Sequence, residues 1–246
     1  MADVDDPLKK FVSKLSARAN LAADDAAALL QLPYVLRTYE PATYLVREGE
    51  PAKRACSFVL SGFAYRQKLT ANGSRQILSL HLPGDLLDLQ QLFLRRADHS
   101  VQALTRLTTA EIERDALHHL TRTRPTVSDA MWVDALIEAS ILREWILNVG
   151  RRDARGRIAH LLCEFATRMD QAGLSDGARY ELPMTQEQIG DATGLTGVHV
   201  NRTLKSLTDD GLVHRDKRYL SFSDWDAVRA VADFSSLYLH ADQLEP

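Results

Sequence analysis

A chain of 246 residues, 45% of them hydrophobic and 26% charged, with a formal net charge of −3, is long and apolar enough for one large or two small buried cores. Its two cysteines, Cys56 and Cys163, lie far apart with no Cys/His cluster around either, which excludes a disulfide framework and any zinc or iron–sulfur site with local ligand spacing. The acidic start MADVDDPLKKFV lacks the basic residues and apolar run of a signal peptide, and no stretch has the apolar length of a membrane span; a soluble protein of the reducing cytoplasm is expected.

From about Ala42 to Arg114 the texture predicts strands. ATYLVRE, SFVLSGFAYRQKL, RQILSLHL, VQALTRL and TAEIER are short runs punctuated by Ser61-Gly62, Asn72-Gly73 and Pro83-Gly84. The Asn-Gly pair favours a tight hairpin, and several short strands with regular turns predict an antiparallel sandwich or barrel. His118 and His119, in DALHHL, read as part of a short helix. From about Pro125 to Val149 apolar residues recur at three and four. Met131, Ala135, Leu142, Trp145 and Val149 form one stripe; Val133, Ile137 and Ile141 form a neighbouring one. A long helix apolar over more than one face must bury on both sides, and periodicity leaves a core helix and a dimer seam equally open. GRRDARGR (150–157) reads as a charged, glycine-bracketed hinge, IAHLLCEFATRM as an amphipathic helix and QAGLSDGARYELP as loop.

The stretch from Thr185 to Asp224 is the most specific. Thr185 with Gln188 three residues on forms a capping box that starts a helix. Ile189 and Ala192 face inward, Gly190 leaves room for close helix approach and Gly194 ends the helix. Thr196 is a good N-cap for a second helix with Val200, Leu204 and Leu207 as its inner face. Two short helices around a Gly-containing turn predict a helix-turn-helix, and the alternating runs of GLVHRDKRYLSFS add a hairpin wing. The outer face of the second helix is then explained. Arg202 can donate two hydrogen bonds to guanine and Asn201 can pair with adenine. Thr196, His199 and Lys205, with Arg215, Lys217 and Arg218 of the wing, suit phosphates, as does Thr185 at the start of the first helix.

In that order, strand-rich sensor, long helix, hinge and winged reader resemble the Crp/Fnr family of bacterial transcription regulators over nearly the whole chain. The carrying stretches are FVLSGFAYRQKLTANGSRQILSLHLPGDLL (58–87) and LPMTQEQIGDATGLTGVHVNRTLKSLTDDGLV (182–213). The resemblance implies an α+β chain: an antiparallel β jelly-roll sensor (1–124) of the cyclic-nucleotide-binding type, a long dimerisation helix and hinge (125–152) and a winged helix-turn-helix (153–246). It implies a homodimer on palindromic double-stranded DNA, with Met131, Ala135, Leu142, Trp145 and Val149 in the seam and RNA polymerase as a candidate partner. Allosteric control would come from an unidentified effector held near Gly84, Asp85, Leu86 and Ser100.

Two departures from the family pattern matter. Members that bind cyclic AMP follow Gly-Glu with an Arg and a Ser or Thr about ten residues later, a pair that grips the cyclic phosphate. Here Gly84 is followed by Asp85 and LLDLQQLFLRRADHS, and cyclic AMP is not the expected effector. The iron–sulfur variant of the family needs four cysteines, and none precedes Tyr44; His81, a haem ligand by analogy, reads instead as a strand residue. In the reader, Val198 stands where relatives often carry a glutamate that accepts from cytosine, so an apolar contact such as a thymine methyl is expected there, while Arg202 matches the base-reading arginine.

No GxSxG, phosphate loop, HExxH or dinucleotide GxGxxG occurs, so no enzyme activity, catalytic residue, metal site or cofactor is expected. The alternatives are a ligand-independent regulator and a nucleotide-binding module without DNA function. Cys56 and Cys163 read as small buried hydrophobes.

Overall fold

The computed structural model describes residues 6–175, 179–216 and 219–241. They form two compact units: one from 6–68 with 80–139, the other from 69–79 with the described residues from 140 to 241. The division falls inside the long helix and not at either of its ends.

The first unit is an antiparallel two-sheet roll. One sheet is β1 (Tyr34–Tyr39), β7 (Leu107–Glu113) and β3 (Ala55–Ser61), ordered β1-β7-β3. The other, ordered β2-β6-β4-β5, contains β2 (Tyr44–Val46), β4 (Ala64–Leu69), β5 (Arg75–His81) and β6 (Ser100–Ala103). The period-2 rule sorts the side chains of β3 and β7 between two cores. Val59 and Leu107 face between the sheets, with Leu45, Leu87 and Val101. Cys56, Phe58, Ala110 and Ile112 face outward onto helices α1 (Lys9–Arg18), α2 (Ala23–Leu30), α3 (Arg114–Thr123) and the start of α4 (Pro125–Arg151), where Phe11 and Phe58 pack with ring centroids 4.9 Å apart. Ion pairs tie α1 and α4 to the roll: Lys14 lies 3.0 Å from both Asp85 and Asp134, and Arg66 pairs with Glu138 while donating to the Leu87 carbonyl. The two N-terminal helices and β1 lie upstream of the strand region legible in the sequence.

The predicted hairpin exists between β4 and β5, but the connection is longer than two residues. Gly73 (φ +84°) donates to the Thr70 carbonyl and Asn72 Oδ1 accepts from Ser74 N. The tip, Leu69–Ser79, groups with the second unit, where Arg75 pairs with Asp191 at 2.6 Å and Gln76 donates to the Ala192 carbonyl.

The second unit starts with the last part of α4. A two-residue break separates α4 from α5 (Ala154–Gln171), and Asp153 caps α5 by accepting from Gly156 N at 2.7 Å. Then come β8 (Arg179–Glu181), α6 (Gln186–Thr193), α7 (Gly197–Asp209), β9 (Val213–Asp216), β10 (Tyr219–Phe222), α8 (Trp225–Ala232) and a 3₁₀ turn at Ser236–Leu239. The sheet order is β8-β10-β9. β8 corrects the reading of 171–183 as loop: its three residues gain strand geometry only by pairing with β10, Tyr180 opposite Leu220.

Along α4 the exposed apolar residues are Trp132, Leu136, Ile146 and Leu147. Two of the five residues expected at the seam, Met131 and Trp145, are buried and not among them. Met131 is buried in the helix-facing core of the first unit, and Trp145 is buried with its indole N–H on Glu164 at 3.0 Å, so both are consumed within the chain. Ala135, Leu142 and Val149 are half-buried.

Candidate nucleic-acid interface

The geometry of α6 and α7 follows from a few local devices. Thr185 Oγ1 accepts from Gln188 N at 3.2 Å, and Gln188 Oε1 accepts from Thr185 N at 2.8 Å, closing the capping box. Ile189 and Ala192 are buried as predicted, and so is Thr193, whose hydroxyl donates to the Ile189 carbonyl. Gly194 takes the left-handed conformation (φ +68°) that ends α6, and Leu195 N donates back to the Gly190 carbonyl. Thr196 caps α7 by accepting from His199 N at 3.3 Å. Val200, Leu204 and Leu207 are at most 1% exposed and hold α7 down, joined by Thr203.

Opposite that inner row, Val198 is 83% exposed, and Asn201, Arg202 and Lys205 are exposed beside it. Among the described residues nothing engages the side chains of Asn201, Arg202 or Lys205. Spacings of three and four put these four on one face of the helix. Thr185 and Thr196 are exposed at the starts of α6 and α7, His199 is half-exposed, and Arg215 is exposed on β9. Lys217 and Arg218 lie outside the described residues.

Three supporting residues were not legible in the sequence. Arg155, in the first turn of α5, reaches the last turn of α7, donating to Ser206 Oγ at 2.8 Å and pairing with Asp210 at 2.6 Å. Arg157 donates to the Thr193 carbonyl at the end of α6 and to the Arg152 carbonyl. Val149 packs on the helix-turn-helix corner, where a Cβ on Gly194 would meet it at 3.4 Å. Arg157 thus satisfies carbonyls that helix ends leave open.

A two-helix corner with a bare polar face and a three-stranded wing is a DNA reader in form. Comparison with known proteins decides which one. Residues 156–231 match the Crp-like helix-turn-helix domain, and residues 36–124 match the cyclic nucleotide-binding domain. The chain belongs to the Crp/Fnr family of transcription regulators. This Crp/Fnr protein is 28% identical to the transcriptional activator protein FnrL of Cereibacter sphaeroides over 211 residues, 84% of each chain. It is 28% identical to the nitrogen fixation regulation protein FixK of Rhizobium meliloti over 204 residues, 82% of this chain and 89% of FixK. The solved structure of FixK2 from Bradyrhizobium japonicum superposes with a TM-score of 0.76 at 25% identity, covering 83% of this chain and all of that one. These relatives are transcription regulators and not enzymes.

The four residues expected at an effector site of this Crp/Fnr roll all belong to the first unit. Asp85 accepts from Leu82 N at 2.9 Å and pairs with Lys14, Leu86 is buried in the helix-facing core, and Ser100 Oγ accepts from Glu48 N. Gly84 (φ +105°) turns the chain beside Lys14. His81 is buried on β5, 3.7 Å from Asp85, and burial holds its imidazole below the usual range against that carboxylate. Cys56 and Cys163 are buried and free; burial pushes both thiols up, that of Cys163 to about 12. Among the described residues no helix is long and apolar enough to cross a membrane.

Proposed function

We propose that the chain acts as a homodimer that reads palindromic double-stranded DNA. The observation that carries this is the exposed row Val198, Asn201, Arg202 and Lys205 on a helix whose other face is buried. Arg202 donates to guanine O6 and N7, Asn201 pairs with an adenine, and Val198 offers only an apolar contact, such as a thymine methyl. Thr185, Thr196, His199, Lys205, Arg215 and, in the sequence, Lys217 and Arg218 serve the phosphates, which set register and affinity. The seam is assigned to the exposed apolar side of α4 carrying Trp132, Ile146 and Leu147. The name of FnrL says activator, and on that ground RNA polymerase is proposed as a further partner. Selection of binding sites from a random DNA pool with purified protein tests reader and symmetry together: an inverted repeat with a guanine in each half-site is expected, and single unpaired half-sites would overturn the dimer.

A second reading concerns control. The space between the sheets is filled by Leu45, Val59, Leu87, Val101 and Leu107, each at most 2% exposed. That packing favours a regulator whose DNA binding needs no small effector. Purified protein free of metabolites should bind the selected operator at full strength; a stimulation by cell extract that survives protease treatment of the extract would reverse this reading.

A further inference from the structure

The reader carries a segment that the DNA-facing row does not use. The helix-turn-helix family match ends at residue 231, and the chain then folds back toward α4 and α5. Asp233 closes α8 in the left-handed region (φ +47°), Phe234 is buried, and the 3₁₀ turn buries Leu239 and half-buries Tyr238. Two sets of contacts then form, one that bridges α5 and α4 and one made from within the break between them. Tyr238 donates its hydroxyl to Glu164 Oε2 at 2.9 Å, and the same buried carboxylate accepts from Trp145 Nε1 at 3.0 Å. Arg152, inside the break, donates to the Asp233 carbonyl at 2.9 Å and to Glu144 at 2.7 Å. The His160 ring of α5 stacks on Tyr238 (5.8 Å, 19° between planes) and meets Phe234 edge-on at 5.3 Å.

The contacts continue toward the wing. Phe234 meets Trp225 at 6.4 Å, Trp225 meets Phe222 of β10 at 4.9 Å, and Phe222 meets Tyr180 of β8 at 5.8 Å. One aromatic chain therefore joins the wing to the polar cluster that spans the break. A two-residue break is by itself soft, because each residue brings two free dihedrals. Its angle matters: α5 is 18 residues long, so a swing of about 10° would displace its far end by about 5 Å on a lever of about 27 Å. That exceeds the rise of one base pair, about 3.4 Å.

We infer that Tyr238 and Phe234 are positioning residues for DNA recognition: segment 233–240 straps α5 to α4 across the break and so fixes the spacing at which two readers meet DNA. The strap acts through Glu164, Trp145 and Arg152 and touches no nucleotide. This rests on the dimeric reading proposed above.

The test measures spacing and not affinity alone. Full-length protein is titrated with the selected operator and with versions whose half-sites are one base pair closer or farther apart. Wild type is expected to prefer the selected spacing by roughly tenfold, the cost of a misplaced base contact. Tyr238→Ala is expected to reduce that preference to about threefold or less, and Tyr238→Phe, which keeps the ring on His160 but loses the bond to Glu164, to a value between that and wild type. A segment that only stabilises the fold would weaken binding to all three DNAs by the same factor and leave the ratio unchanged, and that result overturns the strap. If Tyr238→Ala does not fold, Tyr238→Leu, which keeps a buried apolar side chain without ring or hydroxyl, reads the same ratio. A wild type indifferent to spacing would instead overturn the dimeric reading itself.

Discussion

Gly190 and the carbonyl oxygen of Leu195 approach so closely that a Cβ on the glycine would stand 2.4 Å from that oxygen. The neighbour is backbone and cannot rotate away, which is why the corner between α6 and α7 tolerates no side chain here. Gly190→Ala gains about 1 kcal/mol of helix propensity but incurs a steric cost of ~1–3 kcal/mol or more because the corner must open. The expected outcome is a net loss of stability in denaturant unfolding together with weaker operator binding. Gly197, where a Cβ would have nothing within 4 Å, is the control: its alanine variant should fold at least as stably as wild type.

Arg202 and Lys205 share one exposed face but should fail differently. Arg202→Ala should lose ~1–3 kcal/mol of discrimination at one guanine position of each half-site. Lys205→Ala should weaken binding to every sequence alike and reduce the slope of log K against log salt by about 0.9 for each phosphate that is no longer neutralised. Binding-site selection and a salt titration separate the two; an Arg202→Ala protein with unchanged preference would remove the arginine from the base-reading role.

Val198 calls for its own measurement, because it is the most exposed apolar side chain on the reader at 83%. Val198→Glu introduces an acceptor for cytosine N4, and the selected half-site should shift toward cytosine at the position facing residue 198, by roughly 1–3 kcal/mol. A shift at any other position would show that α7 sits in the groove in another register.

The reader was legible because its signals are local. A capping box, a left-handed glycine, an N-cap and an inner row at three and four each act within one turn of helix, and Val200, Leu204 and Leu207 are buried as their spacing predicts. What the sequence did not show depended on partners distant in sequence. α4 is apolar on adjacent stripes, and only Glu164, nineteen positions beyond Trp145, decides that this tryptophan turns inward while Ile146 stays exposed. GRRDARGR reads from its charge and glycines as a hinge, and no local pattern shows that Arg152 and Arg157 are held by carbonyls of other segments. Asp85 occupies an effector-site position in sequence, but Lys14 and the Leu82 amide hold its carboxylate.

The seam assignment predicts a charge effect that spares the fold. Trp132 and Ile146 are 60% and 73% exposed, so replacing either by aspartate removes no internal packing of comparable size. Trp132→Asp and Ile146→Asp should each weaken self-association by ~2 kcal/mol or more, the usual loss at a central interface anchor. Sedimentation should show monomers at concentrations where wild type is dimeric, with unchanged far-ultraviolet dichroism.

Asp88 gives a pH dependence whose sign is fixed. Its carboxyl is fully buried, accepting from Ser57 N at 2.8 Å and facing the Ser57 hydroxyl at 3.4 Å. Burial pushes its pKa from 3.8 up to about 7, although the bond from Ser57 N favours the ionised form. Between those two values the folded chain holds a proton that the unfolded chain has released, so this group's contribution falls as pH rises, by at most about 1.4 kcal/mol per unit, and levels off above about 7. Asp88→Asn keeps an oxygen for Ser57 N and cannot ionise. Its stability relative to wild type should therefore climb as pH is raised from about 4 to about 7 and then stay constant. A difference that is flat across that range would mean that Asp88 is already ionised in the folded protein at acid pH.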